Sequence, residues 1–245
     1  MIKRSVIWAL FALFAISLNG QKIHPAFGER ISERHHLAYR VLKNYPGIQV
    51  YDTAVLGAIY RTPRHAFVPD RMKPYAYENT PLPIGYEQTI SQPVIVASMT
   101  QMLDPQPGMK ILEIGTGSGY QAAVLAELNV VVFSIEIVTE LGIRAKKLID
   151  ELGYTNVHIK IGDGYEGWPE EAPFDRIIVT CAPEEVPEPL ISQLKTGGKI
   201  VIPVGSENTT QYLVVLRKDQ NGKIIRDTKY AVRFVPMTGK AEKVR

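Results

Sequence analysis

The sequence contains one cysteine, Cys181, among 245 residues. A single thiol forms no intramolecular disulfide, CxxC redox pair or cysteine-based zinc cluster. Cys181 lies in the apolar stretch 177–182, a context that favours a small buried side chain over a nucleophile. The five histidines include the neighbours His35 and His36, but adjacent side chains on a helix point about 100° apart and do not readily share one ion. We therefore expect neither a metal site nor a cysteine nucleophile.

The chain also has little net charge, formally +3 from 28 Lys and Arg against 25 Asp and Glu. Binding to a nucleic acid backbone needs a clustered basic surface, and the only late basic cluster, residues 240–245, is typical of a solvated tail. We expect no nucleic acid partner. A hydrophobic content of 45% and a charged content of 22% are ordinary for a globular domain of this length.

No apolar run is long enough to cross a membrane comfortably. The N-terminal apolar run, residues 6–18, carries no charge, follows Lys3 and Arg4 and precedes Gly20. A spanning helix needs about 20 apolar residues, whereas a basic start, a short apolar core and a small residue are typical of a signal peptide. We therefore predict a signal peptide over residues 1–20, export to the periplasm or beyond, and no stable membrane insertion after cleavage. The alternatives are a retained anchor and a misassigned start codon.

The rest of the chain, residues 21–245, is predicted to form one domain. Three- and four-residue apolar spacing predicts an N-terminal helical extension, residues 29–44 and 50–62. The segment 63–92 is rich in Pro, Tyr and Gly, which excludes a regular helix or a central strand and indicates a functional loop.

From residue 110 onward, short apolar runs alternate with helical stretches. We predict strands at 110–114, 130–135, 157–161, 176–180 and 199–203, with helices at 120–127, 139–152 and 187–194 between them. Two further strands, 211–217 and 230–235, follow. This order predicts an α/β fold of Rossmann type, a doubly wound and mostly parallel sheet with helices on both faces.

A glycine turn follows the first predicted strand of this sheet, in the sequence ILEIGTGSGY at residues 111–120. In an open parallel sheet such a turn lies at the end where ligands bind, and glycine lets the backbone approach the ligand. The spacing is G-x-G-x-G, whereas the dinucleotide fingerprint is G-x-G-x-x-G. The candidate cofactor-binding residues here are Gly115, Thr116, Gly117 and Gly119.

Acidic residues end the next two predicted strands. Glu136 stands where a carboxylate accepts hydrogen bonds from both ribose hydroxyls, and Asp163, before Gly164, stands where it would accept one from an adenine amino group. Each signal alone is weak, because glycine turns often only end strands and Glu136 would also suit a helix start. Three such signals at successive strand ends predict a cofactor that contains a nucleoside.

Several segments resemble the protein-L-isoaspartate O-methyltransferase family, which belongs to the class I methyltransferases. The most specific is TPLPIGYEQTISQP at residues 80–93, joined in the family's order by RHAFVP at 64–69, GDG at 162–164, PFDRIIVT at 173–180 and VRFVP at 232–236. The similarity extends over residues 29–239. Two positions depart from the pattern: Glu87 stands where bacterial relatives often have glycine, and Met237 where leucine is common.

The resemblance implies a seven-stranded mixed sheet, S-adenosylmethionine as the methyl donor and no metal. It implies L-isoaspartyl residues of damaged proteins and peptides as the acceptor, with repair through a succinimide. Ser91 matches the serine of the family's active site, and Thr89, Ile90 and Gln92 are the candidate substrate-binding residues. We expect a monomer. The family's usual location is the cytoplasm, which supplies the donor and conflicts with the predicted export.

The expected chemistry needs no side-chain base, because a carboxyl group with a pKa of about 3.9 is already an anion at neutral pH. We therefore expect Ser91 to orient the acceptor, although it would also suit the N-cap of a helix that follows it. Three other functions compete with this one. They are methylation of a small molecule by the same fold, a nicotinamide oxidoreductase, and a binding module without catalysis.

Overall fold

The computed structural model describes residues 24–240, so the predicted signal peptide lies outside the described residues. The core of the fold is a seven-stranded sheet in the order β5-β4-β3-β6-β7-β8-β9. Its strands are β3 (Lys110–Ile114), β4 (Val131–Glu136), β5 (Val157–Ile161), β6 (Phe174–Val179), β7 (Leu194–Val204), β8 (Gln211–Lys218) and β9 (Ile224–Val232). A separate two-stranded sheet pairs β1 (Leu82–Gly85) with β2 (Gln88–Ile90).

The strand order reverses next to β3. Strands β5, β4, β3, β6 and β7 pair in parallel, and β8 and β9 are added antiparallel at one edge. From β3 the chain first builds outward through β4 and β5 and then returns to add β6 on the other side. The loops after β3 and β6 therefore meet at a topological switch point, where ligands bind in this architecture. The predicted α/β fold with a mostly parallel seven-stranded sheet is confirmed.

Six α-helices accompany the strands in the described part of the chain. They are α1 (Ile31–His36), α2 (Thr53–Arg61), α3 (Pro93–Leu103), α4 (Tyr120–Ala126), α5 (Thr139–Glu151) and α6 (Glu188–Ser192). Helix α5 shows why the sequence forms them, because Leu141, Ala145 and Ile149 recur every four residues and are all buried on one stripe. Asp52 starts α2, since its Oδ1 accepts hydrogen bonds from the backbone N–H groups of Ala54 (2.8 Å) and Val55 (3.2 Å).

The strands bury side chains on both faces of the sheet. One face, represented by Ile111 and Val132, packs against the buried residues of α2, α3, α4 and α5 in the larger hydrophobic cluster. The other face, represented by Leu112 and Ile135, forms a second cluster with Leu190 of α6 and with Met237 from the end of the chain. Burial on both faces explains why these strands are continuous apolar runs.

The N-terminal extension differs in detail from the sequence prediction. One helix was expected over residues 29–44, but α1 continues as a π-helical turn, Leu37–Leu42. The buried side chain of Arg34 fastens the extension by donating to the backbone carbonyls of Tyr60 (2.7 Å), Phe27 (2.8 Å) and Arg61. This local adjustment depends on tertiary contacts, which periodicity does not reveal.

The tail differs in a similar way. A final strand was expected at 230–235, but β9 begins at Ile224 and ends at Val232. Asp219 accepts hydrogen bonds from the N–H groups of Asn221 and Lys223, and this turn brings Ile224 directly opposite Lys218. The charged stretch after Ile225 therefore joins the sheet by pairing with β8, although it lacks an apolar pattern.

The segment 63–92 is neither a regular α-helix nor a central strand, as expected. It contains two 3₁₀ helices, Arg64–Phe67 and Asp70–Tyr75, and then the β1–β2 hairpin. At the hairpin tip, Tyr86 and Glu87 have φ angles of 53° and 58°, so Glu87 adopts the left-handed conformation that glycine favours. Within residues 24–240, no helix has both the length and the apolar character that crossing a bilayer requires.

Candidate active site

The glycine turn after β3 is packed too tightly for side chains. Gly115 has a φ of +92°, and a Cβ placed on it would lie 2.5 Å from Thr180 Oγ1. Thr180, which follows β6, donates its hydroxyl to the Gly115 carbonyl at 2.6 Å. The N–H groups of Gly115 and Thr116 both donate to the Ile135 carbonyl, at 2.9 and 3.2 Å. The turn is thereby fixed between the ends of two neighbouring strands.

The carboxylate of Glu136 is held in place by backbone groups. Its Oε2 accepts a hydrogen bond from the N–H of Gly117 at 2.6 Å, and its Oε1 accepts one from the N–H of Val138 at 2.9 Å. The side chain is 5% exposed, and it lines the cavity beside the glycine turn. Each carboxylate oxygen accepts more than one hydrogen bond, so both retain capacity towards the cavity.

This cavity encloses about 900 Å³, including space open to solvent, and we call it the donor cavity because most of the predicted cofactor-binding residues line it. Five regions that are distant in sequence provide most of its lining. They are the end of the β1–β2 hairpin with the residues after it (Gln88, Thr89, Ile90, Ser91), the glycine turn (Gly115, Thr116, Gly117, Ser118), the ends of β4 and β6 (Glu136, Ile137, Thr180, Cys181) and the tail (Val235, Pro236, Met237, Thr238).

A second cavity adjoins the first, and we call it the acceptor cavity. It lies between the hairpin side and the end of β9, and its lining includes Gln92, Ala231, Arg233 and Phe234. Four residues line both cavities: Thr89, Ser91, Thr180 and Val235. The two spaces therefore meet at Ser91.

Most of the sequence-predicted site residues come together here. The donor cavity is lined by Thr89, Ile90, Ser91, Gly115, Thr116, Gly117, Glu136 and Gly164, while Gln92 lines the acceptor cavity. Their individual roles stay predictions. Gly164 leaves no room for a side chain, because a Cβ would lie 2.3 Å from Ile114 Cγ2.

Two predicted cofactor residues do not line either cavity. Gly119 begins α4 with a φ of +87°, and a Cβ there would meet Ile149 at 3.4 Å, so its place is structural packing beneath the turn. Each carboxylate oxygen of Asp163 accepts a hydrogen bond from a backbone N–H, from Tyr165 N at 2.9 Å and from Lys240 N at 2.8 Å. Lys240 thus shares the carboxylate that was predicted to bind adenine.

Ser91 does not cap the following helix. Helix α3 begins at Pro93, the N-cap position is Gln92, and no side chain at that position makes a capping bond. Asn79 serves instead, because its Oδ1 accepts a hydrogen bond from Val94 N at 3.0 Å. The capping alternative for Ser91 is therefore wrong, and the residue lies where the two cavities meet.

A buried acid lies behind the glycine turn and was missed from sequence. Glu113 is fully buried in β3 and accepts a hydrogen bond from Ser134 Oγ at 2.6 Å, and that hydroxyl lies 2.6 Å from Thr116 Oγ1. Its other oxygen, Oε1, has no hydrogen-bond partner within residues 24–240. Desolvation by burial raises the pKa of Glu113 to about 8. It is therefore mainly protonated at neutral pH, and the hydroxyls of Ser134 and Thr116 connect it to the donor cavity, which Thr116 lines.

Thr180, Cys181 and the tail 235–238 were also missed as lining residues. The position of Thr180 at the end of the strand beside β3 was a usable signal, but the approach of the tail was not visible in the sequence. Burial raises the pKa of the Cys181 thiol to about 12, so the thiol is protonated and unsuited to nucleophilic attack. Within residues 24–240, no group of three His, Cys, Asp or Glu side chains is arranged to hold a metal ion.

Several known proteins are similar to this chain. The family model of protein-L-isoaspartate(D-aspartate) O-methyltransferase matches residues 35–242. A protein-L-isoaspartate O-methyltransferase of Opitutus terrae is 49% identical over 94% of this chain and 97% of its own length. One of Gloeobacter violaceus is 53% identical over 76% of this chain and 90% of its own length.

Solved structures give the same result. A structure described as protein-L-isoaspartate O-methyltransferase superposes with a TM-score of 0.77 at 32% identity, covering 85% of this chain and 67% of the other. A Plasmodium falciparum structure of the same description, in complex with S-adenosyl-L-homocysteine, gives a TM-score of 0.71 at 26% identity, covering 85% of this chain and 97% of the other. This chain belongs to the protein-L-isoaspartate(D-aspartate) O-methyltransferase family.

Proposed function

We propose that this protein transfers the methyl group of S-adenosyl-L-methionine to the free carboxylate of L-isoaspartyl residues in damaged proteins and peptides. The observation that carries the proposal is the meeting of two cavities at Thr89 and Ser91, one of them beside the fixed carboxylate of Glu136. The methyl ester then closes to a succinimide, which begins the repair. Family membership supports both the donor and the acceptor.

The donor cavity suits a nucleoside that carries a methionine chain. Gly115 and Gly164 leave no room for side chains, so the backbone itself forms the wall against which a ligand packs. Glu136 presents a fixed carboxylate to the ribose hydroxyls, as an acidic residue at this place does in dinucleotide-binding folds. No metal is needed, because the donor carries its methyl group on a positively charged sulfur.

On the acceptor side, the chain's task is alignment. The isoaspartyl carboxylate is an anion at neutral pH, and one of its oxygens bonds to the methyl carbon as the carbon–sulfur bond breaks, leaving S-adenosylhomocysteine. Ser91 donates its hydroxyl to this carboxylate without neutralising it, and the walls of the two cavities exclude water. Alignment of this kind lowers the barrier by removing the entropy cost of an encounter in solution.

Selectivity for the acceptor provides the test. The chain lacking residues 1–20 is incubated with labelled donor and either an isoaspartyl peptide or the same peptide with a normal aspartyl residue. We expect label only in the isoaspartyl peptide. Equal labelling of the two peptides would contradict the proposal, and labelling of neither peptide while a small carboxylic acid is labelled would indicate a small-molecule methyltransferase.

Replacing Ser91 with Ala tests how the acceptor is held. A hydrogen bond to a charged group contributes about 1.5–3 kcal/mol, so Ser91→Ala should lower kcat/KM for the isoaspartyl peptide roughly 10- to 100-fold. Affinity for S-adenosylhomocysteine, measured by calorimetry, should stay within about twofold, since the backbone of the donor cavity is unchanged. Ser192→Ala is the control, because that hydroxyl is exposed and bonds only to Pro189 O.

We also propose that the protein is exported as a monomer and has no nucleic acid or membrane partner after cleavage of residues 1–20. The basic and apolar pattern of residues 3–20 supports the first part, and the near balance of charge supports the rest. Cell fractionation and sequencing of the mature N-terminus test the proposed localisation. A cytoplasmic protein that retains its first residues would refute it, and light scattering after gel filtration tests the monomer.

A further inference from the structure

One cation lies buried behind the point where the two cavities meet. Arg64, the first residue of a 3₁₀ helix, is fully buried, and within residues 24–240 no carboxylate forms an ion pair with it. Its Nη2 donates to the carbonyl of Ser91 at 2.8 Å and, more weakly, to that of Thr80 at 3.5 Å. Its Nε and Nη1 have no hydrogen-bond partner in the described part of the chain.

The guanidinium also contacts the wall of the donor cavity. Its Cζ lies 4.8 Å from the centroid of the Tyr120 ring, and Tyr120 lines that cavity. Desolvation lowers the pKa of Arg64 to about 10, so the group is still charged at neutral pH. A full positive charge therefore lies behind Ser91, between the Ser91 backbone and the ring of Tyr120.

The hydrogen bonds to the carbonyls of Ser91 and Thr80 do not by themselves explain why an arginine occupies this position. The two carbonyl contacts use one of its three nitrogens, and a neutral amide would make them without burying a charge. An unpaired buried charge is costly, which makes it a candidate functional group. The acceptor of the proposed reaction is an anion, and a carboxylate beside Ser91 would supply the negative charge that the protein does not.

We infer that Arg64 is a positioning residue that holds the Ser91 backbone and, by its charge, favours a carboxylate over a neutral group in the acceptor cavity. This inference rests on the proposed function. The cation acts through the intervening Ser91 backbone and does not touch the acceptor. It therefore favours the charged acceptor from behind the Ser91 backbone, in addition to Arg233, which lines the acceptor cavity itself and is unchanged in the Arg64 variants.

The test separates charge from hydrogen bonding with two variants. Arg64→Gln keeps an amide donor for the Ser91 carbonyl and removes the charge. Arg64→Lys keeps the charge and removes the planar guanidinium group. Two peptides are compared in the presence of S-adenosylhomocysteine, one with an isoaspartyl carboxylate and one with the neutral isoasparaginyl amide. Dissociation constants for each peptide give the preference for carboxylate over amide.

We expect Arg64→Gln to lose about tenfold or more of that preference, with amide binding within about twofold of the wild type. Arg64→Lys should keep the preference within about threefold but lower kcat, because Ser91 is held less rigidly. Arg34→Met is the matched control, since Arg34 is also buried and donates to backbone carbonyls but lies in the N-terminal extension. It should lower Tm and leave the preference unchanged.

The outcomes are distinguishable. Equal weakening of both peptides in Arg64→Gln would show a purely structural role and overturn the inference, as would an unchanged preference. If Arg64→Gln does not fold, loss of the preference in the folded Arg64→Lys variant overturns the inference, because that variant retains the charge. Failure of the wild-type protein to methylate the isoaspartyl peptide would refute the proposed function itself, whereas failure of the Arg64 inference leaves that activity intact.

Discussion

Glu113→Gln should change how the stability of the protein depends on pH. In the folded protein the carboxyl group has a pKa of about 8, against an ordinary value of 4.5, because burial disfavours its charged form. Between these two values, the unfolded chain releases the proton and the folded protein keeps it. The folded state then binds more protons, so rising pH lowers the free energy of unfolding. Glutamine has the same shape and does not titrate.

The magnitude follows from the separation of the two pKa values. Inside this window the loss is about 1.4 kcal/mol per pH unit, so the free energy of unfolding of the wild type relative to the variant should fall by about 3 kcal/mol between about pH 5 and pH 7.5. The contributions of the other titrating groups cancel in the difference. The free energy of unfolding of the variant relative to the wild type should therefore rise with pH.

Urea unfolding followed by tryptophan fluorescence, at a series of pH values for both proteins, measures this difference. Glu170→Gln serves as a control of sign, because Glu170 is fully exposed and its pKa is held below the ordinary value by a backbone hydrogen bond and by Lys160. The wild-type minus Glu170→Gln difference in the free energy of unfolding should change weakly with pH and in the opposite direction. A wild-type minus Glu113→Gln difference that is flat, or that rises with pH, would refute the assignment of Glu113 as a buried neutral acid.

Two further substitutions test the donor cavity through calorimetric binding of S-adenosylhomocysteine. Glu136→Ala should weaken binding roughly 10- to 100-fold by removing hydrogen bonds to a charged group. Glu140→Ala, at an exposed position nearby, should have no effect. Equal affinities of the two variants for S-adenosylhomocysteine would exclude the ribose role of Glu136. Gly115→Ala should cost stability and weaken binding about tenfold or more, because its Cβ overlaps Thr180 Oγ1. Gly153→Ala has a similar φ of +82° with open space around it, so it should cost only about 1 kcal/mol of stability and no affinity; similar binding losses in both variants would contradict the packing argument.

Local sequence patterns determined much of the donor half of the site. Continuous apolar runs marked the central strands because these are buried on both faces, and the spacing of Gly115, Gly117 and Gly119 marked a turn with left-handed backbone. An acid at the end of β4 identified Glu136 because the ends of parallel strands share one edge. Each of these signals lies within a few residues of the feature that it predicts.

Tertiary structure alone decided the rest. Gly115 and Thr180 are 65 residues apart, and their contact exists because the strand order places β6 beside β3. Three further contacts also join segments that no periodicity relates: Met237 lines the cavity, Asp163 accepts a hydrogen bond from the N–H of Lys240, and Arg64 is buried against Ser91. Sequence reveals what a segment prefers, but a site assembled from five distant segments depends on the packing that brings them together.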